Sequence, residues 1–164
     1  MALPNITRTI IAQGFNCLVR AGQNASDAAN NTIALVSRFQ ATEDFGVQGA
    51  TVLGHLGPVS YDPQSYDCNL AMDGFMPFNR VLDKNIQYAD GGKISVMEYI
   101  PTRAQHMDDA DGQIKIAYLD FYNRKSKTIL AAFEGILITN DVITAEGNTY
   151  VRYSVQAKAL NKSR

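Results

Sequence analysis

Apolar and polar residues alternate in steps of two along several segments of the chain, most clearly between residues 66 and 73. One parity there is apolar and the other is acidic or neutral: Tyr66, Cys68, Leu70 and Met72 against Asp67, Asn69, Ala71 and Asp73. Successive side chains of a β-strand point to opposite faces of its sheet. The pattern therefore predicts a strand with one buried face and one polar face that carries no positive charge.

The same period of two predicts further strands, with turns rich in Gly, Asn and Asp between them. These strands are expected within residues 6–20 (two strands with a break at Gly14), 33–39, 94–100, 114–122, 129–139 and 150–160. Many short strands at this spacing favour an antiparallel sandwich or barrel. One short helix is predicted over residues 77–86, because Pro77 suits a first helical turn and Phe78, Val81 and Leu82 follow at helical spacing.

Residues 41–57 have a different pattern, with Gly46, Gly49, Gly54 and Gly57 among apolar residues. We expect a long protruding loop or hairpin with an apolar tip, followed by a second hairpin that turns at residues 62–64. The expected fold is mainly β: an antiparallel β-sandwich or barrel with one short flanking helix and a long protruding loop. The length of 164 residues fits a single domain, 1–164, with a substantial core.

Charge is distributed unevenly along the chain. The 41 residues from Phe39 to Asn79 contain no Lys or Arg but carry five acids: Glu43, Asp44, Asp62, Asp67 and Asp73. A folded surface with only negative charge suggests that nucleic acid must not adhere to it, or that it fits a basic partner. Basic residues cluster instead at 124–127 and near the C-terminus. These are interpreted either as solvated surface or as a counter-surface for the acidic segment of another copy.

Candidate chemistry is sparse. The two histidines, His55 and His106, have no His or Cys at metal-ligand spacing, and the MDDADG stretch lacks the first and last ligands of a calcium loop. Asp67 and Asp73 lie six positions apart, roughly 20 Å along a strand, which is too far for a shared catalytic site. No phosphate-binding or nucleophile motif is present. We therefore expect a protein that is not an enzyme and uses no metal or cofactor.

Neither a membrane nor a disulfide framework is indicated. No run of 18 apolar residues occurs, and the N-terminus lacks a secretory pattern, so no membrane insertion is expected. Cys17 and Cys68 each lie in an apolar stretch and are interpreted as small buried residues. Charged residues make up only 19% of the chain, against about 25% in a typical soluble domain. This low fraction fits a surface covered by other subunits, or a monomer with neutral polar residues outside.

Three stretches of the chain resemble the tube proteins of phage tails, especially contractile tails, with relatives in tailocins and type VI secretion systems. The stretch TIALVSRFQATEDFGVQGATVLGHLGPVSYDP resembles the family's strand, long stacking loop and L-G-x-x-G-P return. SYDCNLAMDGFMP resembles the next strand with its D-G-F-x-P exit. ILAAFEGILITNDVITAEGNTYVRYSVQAKAL resembles the closing hairpin. The resemblance covers residues 6–160.

The resemblance implies a structural virion protein that forms homohexameric rings, stacked into an inner tail tube through which the genome passes. It implies ring-to-ring contacts by the long loop, at Phe45, Val47, Val52, Leu53 and Leu56. It implies a lumen face at Asp67, Asn69 and Asp73, past which DNA slides without specific binding. Sheath, baseplate and tape-measure proteins are the implied partners, in a virion tail assembled in the bacterial host cytoplasm.

Arg152 and Lys158 depart from a uniformly acidic wall, because they lie on the polar side of a predicted barrel strand. Two alternatives stay open at this point. One is a small-ligand-binding β-barrel protein, which requires an apolar interior with an empty cavity. The other is an enzyme on a jelly-roll-like scaffold whose site leaves no motif in the sequence.

Overall fold

A computed structural model describes residues 14–58, 60–63, 65–76, 92–100 and 116–163. The strands of this part are β1 Cys17–Gly22, β2 Val36–Asp44, β3 Val47–Ala50, β4 Ser60–Pro63, β5 Asp67–Phe75, β6 Ile116–Asn123, β7 Thr128–Thr144 and β8 Arg152–Lys162. The helical elements are the short α-helix α1, Ala25–Ala28, and the 3-10 turns Gly14–Asn16 and Val96–Tyr99.

Six of the strands form one antiparallel sheet in the order β1-β6-β7-β8-β5-β2. The sheet curls so that strands distant in the order come into contact. The ring of Phe39 on β2 stacks on that of Phe121 on β6 with 5.4 Å between centroids, although β7, β8 and β5 lie between these two strands in the sheet. The result is a half-barrel with a seam between the two edge strands. The predicted mainly β, antiparallel architecture is confirmed.

The concave side of the half-barrel holds the core. Alternating residues of β5 and β8 point into it: Cys68, Leu70, Met72, Tyr153, Val155, Ala157 and Ala159 are all buried. They pack against Val96 and against Leu119, Phe133 and Ile136 from the other half of the sheet. The void enclosed by these side chains measures about 20 Å³, which is room for a single water molecule.

Strand β7 changes parity at Gly135. Phe133 and Ile136 are three residues apart, yet both are buried in the core, whereas a regular alternation places them on opposite faces. Gly135 adopts φ 64°, a left-handed conformation that favours glycine. A Cβ at this position would also lie 2.7 Å from Leu160 Cδ1. A single period of two therefore does not hold along the whole of the strand predicted at 129–139.

The long protruding element spans residues 45–66, and we call it the arm. Its stem is the two-stranded pairing of β3 with β4, separate from the main sheet, and its tip is the loop between them. A protruding element is confirmed, but its boundaries differ from prediction because residues 41–44 belong to β2 and pair with β5. The predicted turn at residues 62–64 is wrong, since Asp62 and Pro63 pair with Gln48 and Val47.

Two further local predictions were wrong. Residues 94–100 do not form a strand: Ile94 makes a single parallel bridge to Ile33, and a 3-10 turn follows at Val96–Tyr99. Ser95 and Val96 are both buried, which a strand with one exposed face does not allow. The helix α1 lies where a loop was expected, and the side chain of Asn24 caps it by accepting a hydrogen bond from the Asp27 N–H. The predicted helix at 77–86 lies outside the described residues.

Candidate functional site

The convex side of β2, β5 and β8 forms a solvent-facing surface that we call the polar face. Cross-strand partners share a face of a sheet, and the register aligns Arg38 with Asp73 and Ser154, and Asn69 with Thr42 and Lys158. The members of the polar face are Arg38, Gln40, Thr42, Asp44, Asp67, Asn69, Ala71, Asp73, Arg152, Ser154, Gln156 and Lys158. The predicted lumen residues Asp67, Asn69 and Asp73 therefore lie together on one surface.

Asp67 is engaged by a cation from the neighbouring strand. Lys158 Nζ on β8 lies 3.0 Å from Asp67 Oδ1 and 3.3 Å from Oδ2. Asn69 Nδ2 donates a further hydrogen bond of 3.0 Å to Asp67 Oδ2. The hydrogen bonds from Lys158 and Asn69 hold the pKa of Asp67 below its ordinary value, so the carboxylate stays charged.

Asp73 is engaged from the opposite side by β2. Arg38 Nη1 lies 3.6 Å from Asp73 Oδ2, and Arg38 also donates to the Gln40 side chain. The third cation of the polar face, Arg152, lies over the ring of Phe75 at 5.7 Å from its centroid. With Asp44, Asp67 and Asp73 against Arg38, Arg152 and Lys158, the polar face carries balanced charge. The acid-only segment of the sequence does not form an acid-only surface.

A polar cluster fixes the base of the arm to the sheet. Glu43 Oε1 accepts a 2.6 Å hydrogen bond from Lys162 Nζ, and Glu43 Oε2 accepts one of 3.2 Å from the Tyr66 hydroxyl. The Lys162 bond is the main cause of a Glu43 pKa below its ordinary value. The rings of Tyr66 and Phe45 meet at 5.8 Å between centroids. Both chains of the arm are thus held where they leave the sheet.

The chain turns out of the sheet at Gly46. This residue adopts φ 53°, and its N–H donates to Asp44 Oδ1 at 2.9 Å. A Cβ here would lie 2.0 Å from Ser65 Oγ on the returning chain. Only glycine fits the position, for reasons of both conformation and space.

The arm exposes large apolar side chains to solvent. Leu53 and Leu56 at its tip are 103% and 111% exposed, and Phe45, Val47 and Val52 are each more than half exposed. These five are the predicted ring-to-ring contact residues, and the structure places all of them on the arm. No Lys or Arg is present on the arm to solvate this surface. Contiguous exposed apolar residues of this kind mark interaction surfaces.

Among the described residues, three edges of the main sheet lack a partner strand: β1, β2 and the C-terminal part of β7. β2 is the last strand of the sheet on one side. Within the described residues, β6 pairs with β7 as far as Ile136, and residues 137–144 of β7 pair with β8. Val142 and Ile143 on this stretch are about half exposed. Unpaired edges are templates for pairing with another chain.

Sequence reasoning missed a buried ion pair between β1 and β6. Arg20 Nε and Nη2 donate to the two carboxylate oxygens of Asp120 at 2.7 and 2.6 Å, and Asp120 is completely buried. The Arg20 guanidinium also lies 3.9 Å from the ring centroid of Tyr122. No local pattern reveals this pair, because its partners are 100 residues apart and meet only through the strand register.

An open groove lies at the seam between β1 and β2, with a volume of about 590 Å³. Leu18, Val36, Phe39, Phe121 and Arg124 are among the residues that line it. Within the described residues, no group of three or more His, Cys, Asp or Glu side chains is placed to hold a metal. The described helices include none that is long and apolar enough to cross a membrane.

The chain was compared with known proteins. No family model matches it, and no curated protein sequence is significantly similar. Solved structures do match. The chain aligns with a component of the tail of an empty gene transfer agent particle, determined with C6 symmetry, over 93% of this chain and 98% of the other, with TM-score 0.55 and 14% identity.

Two further structures match at similar coverage. The sheath/tube terminator of an extracellular contractile injection system, in its extended state, aligns over 94% of this chain and 96% of the other, with TM-score 0.60 and 10% identity. The SPP1 tail tube aligns over 93% of this chain and 77% of the other, with TM-score 0.55 and 9% identity. The chain therefore has the fold of tail-tube proteins, as the resemblance in its sequence implied.

Proposed function

We propose that this chain is the structural subunit of a tail tube: its copies form rings, and the rings stack into a conduit for genome passage during infection. The observation that carries the proposal is the arm, which holds fully exposed leucines at its tip although it is anchored firmly to the sheet at its base. Exposed apolar residues grouped in this way mark a surface that another molecule covers. The shared fold supports a second copy as that molecule.

Lateral closure of the ring is proposed to use two edges that have no partner strand among the described residues, β2 and residues 137–144 of β7. In the order β7-β8-β5-β2 every neighbouring pair is antiparallel, so β2 runs opposite to β7. When residues 137–144 of one copy lie beside β2 of the next, the antiparallel alternation continues without interruption. Such a contact joins two different surfaces, and repeated rotation closes it into a ring. Six copies are proposed from the family resemblance.

Axial stacking is proposed to use the arm. Phe45, Val47, Val52, Leu53 and Leu56 would contact the neighbouring ring and lose their exposure to water. Full burial of one such side chain contributes about 1.5–3 kcal/mol. Repeated around a ring, this contribution is sufficient to hold rings together.

The polar face is proposed to line the channel, with Asp67, Asn69 and Asp73 toward the lumen. Lys and Arg on such a wall would bind DNA phosphates, because their binding releases counterions from the DNA. Here Lys158 and Arg38 are already engaged by carboxylates, so DNA passes without specific binding. The proposed function is assembly and passage rather than catalysis.

Location and partners follow from the same proposal. The chain would belong to a virion tail assembled in the cytoplasm of a bacterial host. Matching structures include a sheath-tube complex and a baseplate of contractile particles. Sheath, baseplate and tape-measure proteins are accordingly the proposed partners of this chain, in addition to its own copies.

The alternative of a small-ligand-binding barrel requires an empty apolar interior. The described interior is filled by core side chains that leave a void of about 20 Å³, whereas drug-sized ligands occupy pockets of roughly 300–1,000 Å³. The larger groove at the seam is open to solvent between two edge strands. We therefore favour the tube subunit.

The experiment that tests the proposal replaces both tip leucines, Leu53→Asp with Leu56→Asp. Since both side chains are fully exposed, we expect an unchanged circular dichroism spectrum and melting temperature, with tubes replaced by single rings in negative-stain images. The control places the same substitution on exposed leucines outside the arm, Leu130→Asp with Leu160→Asp, and leaves stacking intact. Tubes that form normally from the arm variant would show that the arm does not join rings.

A further inference from the structure

We propose that Asp67 and Asp73 act as masks: each neutralises one cation of the polar face, Lys158 or Arg38, and so keeps this face from retaining polyanions. Repulsion by an acidic wall is a different mechanism and is not what the polar face offers, because its charges are balanced. The inference deepens the proposed function and depends on it for its biological meaning. The chemical claim itself concerns one surface of one subunit.

The masks are fixed by the strand register. Lys158 on β8 is the Cα partner of Asn69, and from there it reaches both carboxylate oxygens of Asp67 two residues along β5. Arg38 on β2 is the direct Cα partner of Asp73. Each cation is thus held beside a carboxylate that its neighbouring strand supplies. In both pairs β5 supplies the acid and a flanking strand supplies the base.

Masking requires no strong bond. Exposed ion pairs contribute little to folding stability, and both pairs are exposed, with Lys158 and Asp67 side chains about half accessible. A phosphate that approaches Lys158 nevertheless meets the field of a carboxylate a few ångströms away, and the two charges cancel at that distance. If the carboxylate is removed, the fold remains and the cation becomes available. Asp67 and Asp73 are therefore expected to matter for polyanion binding and not for stability.

The test compares Asp67→Asn/Asp73→Asn with wild type by fluorescence anisotropy of a labelled twelve-nucleotide oligo-dT between 50 and 200 mM salt. We expect no measurable binding by wild type. The variant frees two cations per subunit. For two cations, log affinity plotted against log salt concentration has a slope of about −1.4 or steeper, so the affinity should fall roughly sevenfold or more between 50 and 200 mM salt. Asn keeps the size and shape of the Asp side chain without its charge, and the folding of the double variant is checked by thermal unfolding.

Two controls separate masking from net charge. The variant Asp62→Asn/Asp141→Asn changes the net charge by the same amount. Both acids are exposed, and the described residues show no ion pair for either of them. This control variant should bind no oligonucleotide. Adding Arg38→Gln and Lys158→Gln to the Asp67→Asn/Asp73→Asn variant should abolish its binding. Equal binding by wild type and variant, equal gain in the Asp62/Asp141 control, or binding that survives loss of both cations would each overturn the proposal.

The same samples are imaged for rings and tubes, so that the two proposals fail separately. If the variant gains oligonucleotide binding but forms no rings, the masking proposal is supported and the tube proposal is contradicted. If the variant forms rings but gains no binding, the tube proposal is supported and the masking proposal is contradicted.

Discussion

The arm and strand β5 come from one stretch of sequence without Lys or Arg, yet the fold gives them different surroundings. Around the arm, apolar side chains remain exposed, with Leu53 and Leu56 entirely so. On β5 the neighbouring strands supply a cation for each of Asp67 and Asp73, and the core covers Leu70 and Met72. The apolar side chains of the arm are uncovered within one chain, whereas the acids and the apolar residues of β5 have partners within its own sheet.

A run of one charge in a sequence is therefore not a surface of one charge. A strand contributes only one row of side chains to a face, and the rows beside it come from elsewhere in the chain. Lys158 lies 91 residues from Asp67, and it determines the charge of the face as much as Asp67 does. The β3-β4 pair of the arm joins no other strand among the described residues, so its composition and its surface agree.

The largest expected contrast between the two regions concerns leucine. Leu70→Ala removes a core side chain that is only 5% exposed, so we expect a loss of about 2–5 kcal/mol in the free energy of unfolding. Leu56→Ala removes an entirely exposed side chain and should cost less than about 0.5 kcal/mol. Denaturant titration of both variants at low protein concentration measures the difference. Similar costs would contradict the division into a covered strand and an uncovered arm.

A smaller effect is expected at the junction of the two regions. Gly46→Ala places a Cβ against Ser65 in a left-handed backbone conformation, which should destabilise the arm base by about 1–3 kcal/mol. The matched control is Gly57→Ala in the same arm, where a Cβ meets nothing within 4 Å. Limited proteolysis should cut the arm faster in the Gly46 variant alone. Equal cleavage of both variants would show that the junction is not strained.

The smallest effect is expected from pH. Because Lys162 lowers the pKa of Glu43 below its ordinary 4.5, the stabilisation from this carboxylate is present above that value and is lost as pH falls through the lowered pKa. The stability difference between wild type and Glu43→Gln should therefore shrink between pH 5 and pH 3, as followed by urea unfolding. Glu146→Gln on an exposed turn serves as the control. If the stability difference stays constant with pH, the charge of Glu43 does not stabilise the base of the arm.

The sequence predicted the parts of the fold that depend on local periodicity. The buried and exposed parities of β5 and β8, the strands near 116–123 and 128–144, and a protruding apolar element all follow from alternation and glycine content. The exposed apolar residues of the arm and the acids on one face of β5 are visible in the same patterns, whereas their contact and lumen roles come from the family resemblance. Their roles in assembly stay a proposal.

Features that depend on distant partners did not follow from the sequence. The parity change at Gly135 requires knowledge that this glycine lies against Leu160. The Arg20–Asp120 pair and the cations beside Asp67 and Asp73 require the strand register. The segment at 94–100 alternates like a strand, but burial of Ser95 together with Val96 favours a 3-10 turn. In each case tertiary packing determines what the local pattern leaves open.

The central claim is that copies of this chain assemble with the arm between rings and the polar face toward a channel. Electron cryomicroscopy of the purified protein at high concentration tests this most directly. We expect stacked rings in which Leu53 and Leu56 contact the next ring, β2 pairs with residues 137–144 of the adjacent copy, and Asp67 and Asp73 face the lumen. A particle that stays a monomer of 18.0 kDa at every concentration, or a tube with the polar face outward, would contradict it.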